Sequence, residues 1–326
     1  MSDNIPFEIH EDIVKMLTVR SLIQFQSVSK AWKSLIDSSR FIAQYSTQQQ
    51  HLLVRGRIIG CTHGLLCVYG HCHNSDTVMA VVWNPSIRKS VGVVVPKDGI
   101  YITALGFGVC RETNDPKIVM PNKVKRGTNI PCQVEVFILS NGAWRSPYST
   151  NLPRNTFLFD VPQMVIDGFL YWLASEKIAS CRYDNLIISF DITSEEFSEV
   201  NLPDCLEQHP SYQFLSMSKL RESLVVLRHD IIERDVDVWM MEDGVPKSFI
   251  KLFSVNVNRF YGSAMGLRKS GAPIVENCTL LVVYEPYSEH RDNIRIQGKS
   301  CTVSMYPYVE TLLLQDQTDL RVYNDI

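Results

Sequence analysis

Ile5-Pro6-Phe7-Glu8-Ile9-His10-Glu11-Asp12-Ile13-Val14-Lys15-Met16-Leu17 opens the stretch around which the chain is organised, and Val28-Ser29-Lys30-Ala31-Trp32-Lys33-Ser34-Leu35-Ile36 closes it. Ile9, Ile13 and Leu17 recur every four residues with Val14 beside them, which makes one apolar stripe on one helix. Pro6 stands where a first helical turn tolerates a missing N–H. Glu8, Glu11 and Asp12 place negative charge near the positive end of that helix. Thr18 has the chemistry of an N-cap for a short segment carrying Leu22 and Phe25. Val28, Trp32, Leu35 and Ile36 form a further stripe, with Lys30 and Lys33 off it. Helices shorter than ~12–15 residues are marginal in water, and a piece of ~40 residues buries too little surface to stand alone. Their apolar faces must meet either the rest of the chain, as a helical cap on it, or another protein. The stripes alone support both.

Outward from there the texture changes. Residues 42–50 lose helical spacing and turn polar, so the reading places a helical segment at 1–45, a linker at 46–50 and a β region at 51–326. In the β region short apolar runs alternate with Gly, Pro, Asn, Asp and Ser clusters. An apolar run ending on an aromatic and followed by a polar turn recurs at Trp83, Phe137, Phe190, Trp239 and Tyr284, spaced 54, 53, 49 and 45 residues apart. A period near 50 with several short strands per unit is the signature of propeller blades. Partial units at His51–Val54 and Thr311–Leu314 bring the expected number to about six, with the two end segments able to share one closing blade. The expected fold is thus a small all-α segment of three helices followed by an all-β domain, a β-propeller of about six blades. An irregular β-sandwich is the competing architecture.

The 326 residues are 45% hydrophobic and 21% charged, enough to bury a full core. A net charge of −3 argues against a nucleic-acid or membrane surface, and no run reaches the ~18 apolar residues of a span. The start, Met-Ser-Asp-Asn-Ile-Pro, predicts no secretory leader. Nine scattered cysteines fit a reducing compartment, so cytoplasm or nucleus is expected.

Few residues suggest chemistry. Cys61, His63, Cys67, His71, Cys72 and His73 are the densest metal-ligand candidates, but Cys61 and His63 have one residue between them and the run reads as core strand. Gly298-Lys299-Ser300 lacks the glycine a phosphate loop needs at position 293. Gly262-Ser263-Ala264-Met265-Gly266 does not centre its serine for a nucleophile elbow. Asp191, Glu195 and Glu196 fall on an expected turn and are read as solvated. Lys123-Val124-Lys125-Arg126 reads as an exposed basic loop. No catalytic set, metal or cofactor is expected. A propeller enzyme would need acid and base groups or metal ligands converging at the channel mouth. A nucleic-acid role for the helices is opposed by Glu8, Glu11 and Asp12.

The order Ile5-Pro6, Glu8, Ile13, Leu17, Val19, Ser21-Leu22, Phe25, Val28-Ser29-Lys30, Trp32, Leu35-Ile36 and Phe41 resembles the F-box of plant F-box proteins. Thr18, Gln26 and Ser27 stand where that family usually has proline, arginine and cysteine. The β region resembles the F-box-associated domain. The likeness rests on Gly64-Leu65-Leu66-Cys67, Trp83-Asn84-Pro85-Ser86-Ile87-Arg88-Lys89, Gly106-Phe107-Gly108 and Val134-Glu135-Val136-Phe137. It continues through Trp144-Arg145, Gly168-Phe169-Leu170-Tyr171-Trp172-Leu173, Ser189-Phe190-Asp191 with Glu196-Phe197, Val238-Trp239-Met240-Met241 and Val309-Glu310-Thr311-Leu312. The resemblance implies a non-catalytic substrate-recognition subunit of an SCF ubiquitin ligase. Its helices would bind a Skp-type adaptor, and through it cullin and RING subunits, while the β region holds a target protein. The positions implied for adaptor binding are Ile5, Pro6, Ile9, Ile13, Leu17, Val19, Leu22, Phe25, Val28, Trp32, Leu35 and Ile36.

Overall fold

The helical segment comes first in the computed structural model. The structure describes residues 7–45, 50–55, 58–71, 77–96, 105–121, 134–148, 158–159, 163–179, 182–210, 214–230, 232, 235–244, 247–256, 264–268, 270–277, 280–285, 290–297, 303–317 and 321–323. Helices α1 (Phe7–Lys15), α2 (Val19–Phe25) and α3 (Lys30–Ile36) fall where the stripes put them. A fourth, α4 (Ser39–Gln44), continues into residues read as losing helical spacing. Its cause is local: the Ser38 hydroxyl accepts the Phe41 N–H at 3.3 Å, and the Phe41 and Tyr45 rings stack at 5.9 Å.

Strand β1 (Gln50–Arg55) is followed by five sheets, each built round an antiparallel meander of four consecutive strands. The first contains β2 (Ile58–Thr62), β3 (Leu65–His71), β4 (Val78–Asn84) and β5 (Lys89–Val95). The second contains β6 (Gly106–Val109), β7 (Pro116–Pro121), β8 (Val134–Ile138) and β9 (Ala143–Arg145). In the third, β10 (Leu158–Phe159) pairs along β12, and the meander runs β11 (Met164–Ile166), β12 (Phe169–Ala179), β13 (Arg182–Asp191), β14 (Phe197–Val200). A turn of helix, α5 (Asp204–Glu207), then leads to β15 (Gln208–Pro210), which extends β13. The fourth holds β16 (Phe214–Leu220), β17 (Ser223–Asp230), β18 (Asp235–Glu242) and β19 (Ser248–Asn256). The fifth holds β20 (Ala264–Leu267), β21 (Pro273–Asn277), β22 (Leu280–Glu285) and β23 (His290–Gln297). Strand β24 (Val303–Tyr308) pairs with β1, and β25 (Arg321–Tyr323) adds to β5 in parallel.

The five recurring aromatics mark one position in this plan: Trp83, Phe137, Phe190, Trp239 and Tyr284 lie on β4, β8, β13, β18 and β22, the third strand of each meander. One expectation is corrected. Thr311–Leu314, read as a partial blade unit, forms no strand: Thr311 and Leu312 are irregular, and Leu313 and Leu314 enter a turn. The carbonyls of Thr311 and Leu313 are taken by the Asn84 side chain, and Leu314 holds a left-handed φ of 69°, so the segment cannot join a ladder.

The chain divides into two compact units, residues 1–52, 61–97 and 306–326, and residues 53–60 and 98–305. In the second, period-two alternation buries both faces of the middle sheets. Leu170, Trp172, Ala174, Leu186, Ile188 and Phe190 pack toward the second sheet. Their neighbours Tyr171, Leu173 and Ile187 pack toward the fourth. In β17, Leu224 and Val226 face the third sheet, whereas Val225 and Leu227 face the fifth. The inner strands approach closely: a Cβ on Gly106 would lie 2.3 Å from the Trp172 ring, which excludes any larger residue.

Candidate partner-binding face of the helices

The first unit holds the helices, and its core explains their order. Three hydroxyls start three helices. Thr18 accepts the Ser21 N–H at 3.4 Å, Ser29 accepts Trp32 N–H at 3.2 Å, and Ser38 caps α4 as described. Glu11–Lys15 and Lys33–Asp37 add ion pairs one turn apart at 2.8 and 2.7 Å. Val14, Val19, Leu22, Ile36, Phe41 and Tyr45 turn inward and close round Leu312, with Leu17, Phe25, Trp32, Leu35, Ile42 and Ile87 packed at the rim. The Tyr45 hydroxyl donates to Leu17 O at 2.7 Å. Burial, with the charge of Glu310 adding to it, pushes that hydroxyl well above its ordinary range.

The outer face is different. Ile13 (46% exposed), Met16 (87%), Ile23 (42%) and Val28 (66%) stand in solvent. They are four of the eight large hydrophobic residues exposed among the described residues, and all four come from the first 28 positions. Ile13 and Ile23 stand on α1 and α2, and Met16 and Val28 in the turns that follow them. Scattered singly, exposed apolar residues mean little, but four within so short a stretch make a candidate contact surface. Phe25 and Trp32 stack at 4.9 Å between inner core and outer face.

The residues singled out from sequence therefore separate. Val19, Leu22 and Ile36 are buried in the chain's own core. Leu17, Phe25, Trp32 and Leu35 are half-buried, and Ile13 and Val28 are exposed. Ile5 and Pro6 lie outside the described residues, as does the side chain of Ile9, whose backbone is helical. Met16 and Ile23, which the sequence reading did not single out, are exposed as well.

The inner face rests on the segment Tyr308–Gln317. Glu310 accepts the Val19 N–H at 3.0 Å, at the start of a helix with no acidic residue in its first turn. Gln315 Nε2 donates to Asp37 at 2.6 Å. On its other side the segment lies on the β4–β5 turn. Asn84 Nδ2 donates to Thr311 O and Leu313 O at 3.0 and 2.7 Å, and Ser86 and Tyr308 share a hydrogen bond of 2.5 Å. Lys89 donates to Gln317 O at 2.7 Å and to Gln315 O. Ile87 of the same turn reaches the helical core.

Ionisable groups elsewhere are tied into the β framework. Glu195, read from sequence as solvated, is fully buried; this is a correction, and its cause is a pair of distant cations. Lys117 and Arg145 contact it at 2.8 and 2.7 Å, Lys117 also donates to Ile192 O at 2.8 Å, and Arg145 lies 4.3 Å over the Tyr148 ring. Burial pushes the Glu195 carboxyl up, but hydrogen bonds from Arg145 and Lys117 and their charges outweigh it, and the net direction is down. Asp191 is spent on its turn, accepting Thr193 N–H at 2.7 Å, and Glu196 is exposed as expected. Asp237 is held low the same way: burial is outweighed by Lys251, Ser254 and Arg228. These carboxylates are partners in ion pairs, an arrangement that stabilises their charge instead of poising a proton.

Among the described residues no three His, Cys, Asp or Glu side chains are grouped to hold a metal. Cys61 and Cys67 are buried, and burial pushes the Cys61 thiol up to about 12 and Cys67 further. His63 is exposed in a turn; the side chain of His71, and Cys72 and His73, lie outside the described residues, as do Lys123–Arg126, Gly262–Ser263 and Gly298–Ser300. Among the described residues no helix is long and apolar enough to cross a membrane.

A family model described as "F-box associated beta propeller domain" matches residues 15–313. A putative F-box protein of Arabidopsis thaliana is 25% identical over 285 residues, covering 75% of this chain and 88% of that protein. An F-box/kelch-repeat protein of the same plant is 24% identical over 304 residues, covering 77% and 79%. Among solved structures, the Dos1 propeller is similar at a TM-score of 0.41 and 10% identity, covering 83% of this chain and 71% of that one.

Proposed function

From the premise that the chain belongs to the F-box-associated β-propeller family, we propose that it is a substrate-recognition subunit of an SCF-type ubiquitin ligase. In this reading residues 1–45 are the F-box, 46–50 the linker, and 51–326 a propeller of about six blades that holds a target protein. The exposed face of Ile13, Met16, Ile23 and Val28 is the observation that carries it. Residues Leu17, Phe25, Trp32 and Leu35 supply the rim of the adaptor site, with Ile5, Pro6 and Ile9 extending it. Val19, Leu22 and Ile36 support it from beneath. Covering a large apolar side chain stabilises a complex by roughly 1.5–3 kcal/mol, so four such residues and a stacked aromatic pair suffice for a lasting contact. The subunit makes and breaks no bond. It raises the effective concentration of the target's lysines near a charged ubiquitin-conjugating enzyme, reached through the adaptor, cullin and RING subunits. Its place of work is the cytoplasm or nucleus.

Co-expression with a plant Skp-type adaptor tests this. The double substitution Ile13→Asp with Val28→Asp is expected to abolish co-purification while leaving the circular dichroism spectrum unchanged. Trp32→Ala is expected to weaken capture sharply with the β sheets intact. Capture of either variant at the wild-type yield overturns the assigned face.

A further inference from the structure

Three stretches far apart in the chain meet under the helices. Gly64 lies in the β2–β3 turn, residues 84–89 form the β4–β5 turn, and the third is Tyr308–Gln317. We propose that Tyr308–Gln317 is a strap that makes the helices and the first sheet one rigid body, so that a partner docked on the helices is held at a fixed bearing to that sheet. The inference deepens the adaptor reading by naming what sets the angle.

The contacts run to both sides of the strap. Toward the helices, Leu312 is fully buried among Val14, Val19, Leu22, Ile36, Phe41 and Tyr45, Glu310 holds the start of α2, and Gln315 holds Asp37. Toward the sheet, Asn84, Ser86 and Lys89 take its carbonyls and the Tyr308 hydroxyl. The seat is tight. Gly64 has a φ of +74°, and a Cβ there would lie 2.3 Å from the Val309 carbonyl oxygen and 2.6 Å from the Thr311 methyl. Leu314 keeps a left-handed φ of 69° that a leucine adopts only when its surroundings impose it. A segment that merely lay across the surface would neither need a glycine beneath it nor hold a strained residue. Three of the stretches that carry the family resemblance, at Gly64, Asn84 to Lys89 and Val309 to Leu312, build the strap and its seat.

Hydrogen exchange of the full chain, read by mass spectrometry, tests the strap. Leu312→Ala loosens it from the helix side; Asn84→Ala and Gly64→Ala loosen it from the sheet side. Peptides covering residues 19–36 are expected to exchange at least about tenfold faster in all three, while peptides covering β12, β13, β17 and β18 keep wild-type protection. The helix peptides responding to the two sheet-side variants is the decisive result, because Asn84 bonds the strap and Gly64 packs beneath it. Wild-type protection of residues 19–36 in Asn84→Ala and Gly64→Ala overturns the proposal, whatever Leu312→Ala does to folding. Adaptor capture on the same variants separates the claims. Wild-type chain that fails to capture adaptor while exchange follows the strap pattern strikes at the adaptor reading and upholds the strap.

Discussion

The carboxylate of Glu310 accepts the backbone N–H of Val19 at 3.0 Å although the two residues stand 291 positions apart. It supplies from outside the negative charge that the first turn of α2 lacks. Glu310→Gln keeps an acceptor and is expected to cost about 0.3–1 kcal/mol. Glu310→Ala leaves the N–H unmade and is expected to cost about 1–3 kcal/mol. Guanidinium unfolding followed by far-ultraviolet circular dichroism reads the difference, and equal midpoints for wild type and Glu310→Ala would show that solvent replaces the carboxylate.

Glu195 shows the larger effect to be expected from a buried charge. Glu195→Gln keeps the shape but strips Lys117, itself buried, of its counter-charge. The expected loss is about 3–5 kcal/mol. Lys117→Met with Glu195→Leu, which removes both partners, is expected to lose less than Glu195→Gln alone. Denaturation of the three proteins side by side measures this, and additive losses would refute the pairing.

Stability is expected to fall on the acid side. Glu195 and Asp237 have carboxyls held below their unfolded values, so their contribution is complete above about pH 4–4.5 and is lost as pH falls through the lower folded values. His229 works in the same direction for another reason. Burial lowers its imidazole to about 4, so the unfolded chain binds the proton first between roughly pH 6.5 and 4, and stability declines across that window. His229→Gln, which can still meet the Ser216 hydroxyl now 3.1 Å from His229 Nε2, is expected to flatten the upper part of the slope. An unchanged slope between pH 6.5 and 5 would place the titration elsewhere.

Thiol reactivity should follow burial. Cys205 is exposed, whereas Cys61 and Cys67 are enclosed and their thiols pushed up. Iodoacetamide at neutral pH is expected to modify Cys205 quickly and the other two only on unfolding. Peptide mapping checks the order; early modification of Cys67 would mean that the first sheet opens readily.

What the sequence made legible was local. The cap at Thr18 and the helical runs of α1 and α3 rest on spacings within one element, and the third-strand aromatics rest on a short local pattern, an apolar strand ending on an aromatic before a polar turn, that repeats about every 50 residues. What escaped it was distant. Leu312 was read as part of a closing blade, yet its partners are Leu22 and Ile36 near the opposite end of the chain. Glu195 was read as solvated because its turn is polar, yet Lys117 lies 78 positions away. The division of the helical residues into buried and exposed sets was hidden likewise, since nothing near Val19 or Ile36 announces that Leu312 will cover them.

Because Leu312 completes the core of helices made at the outset, the ribosome emits the two halves of that core nearly three hundred residues apart. At ~5–20 residues per second the helices wait on the order of tens of seconds for it. Through that interval Leu22 and Ile36 offer themselves to chaperones, and a product that stops short of residue 312 never withdraws them. Completion of the message is thereby written into the surface that the newborn chain presents.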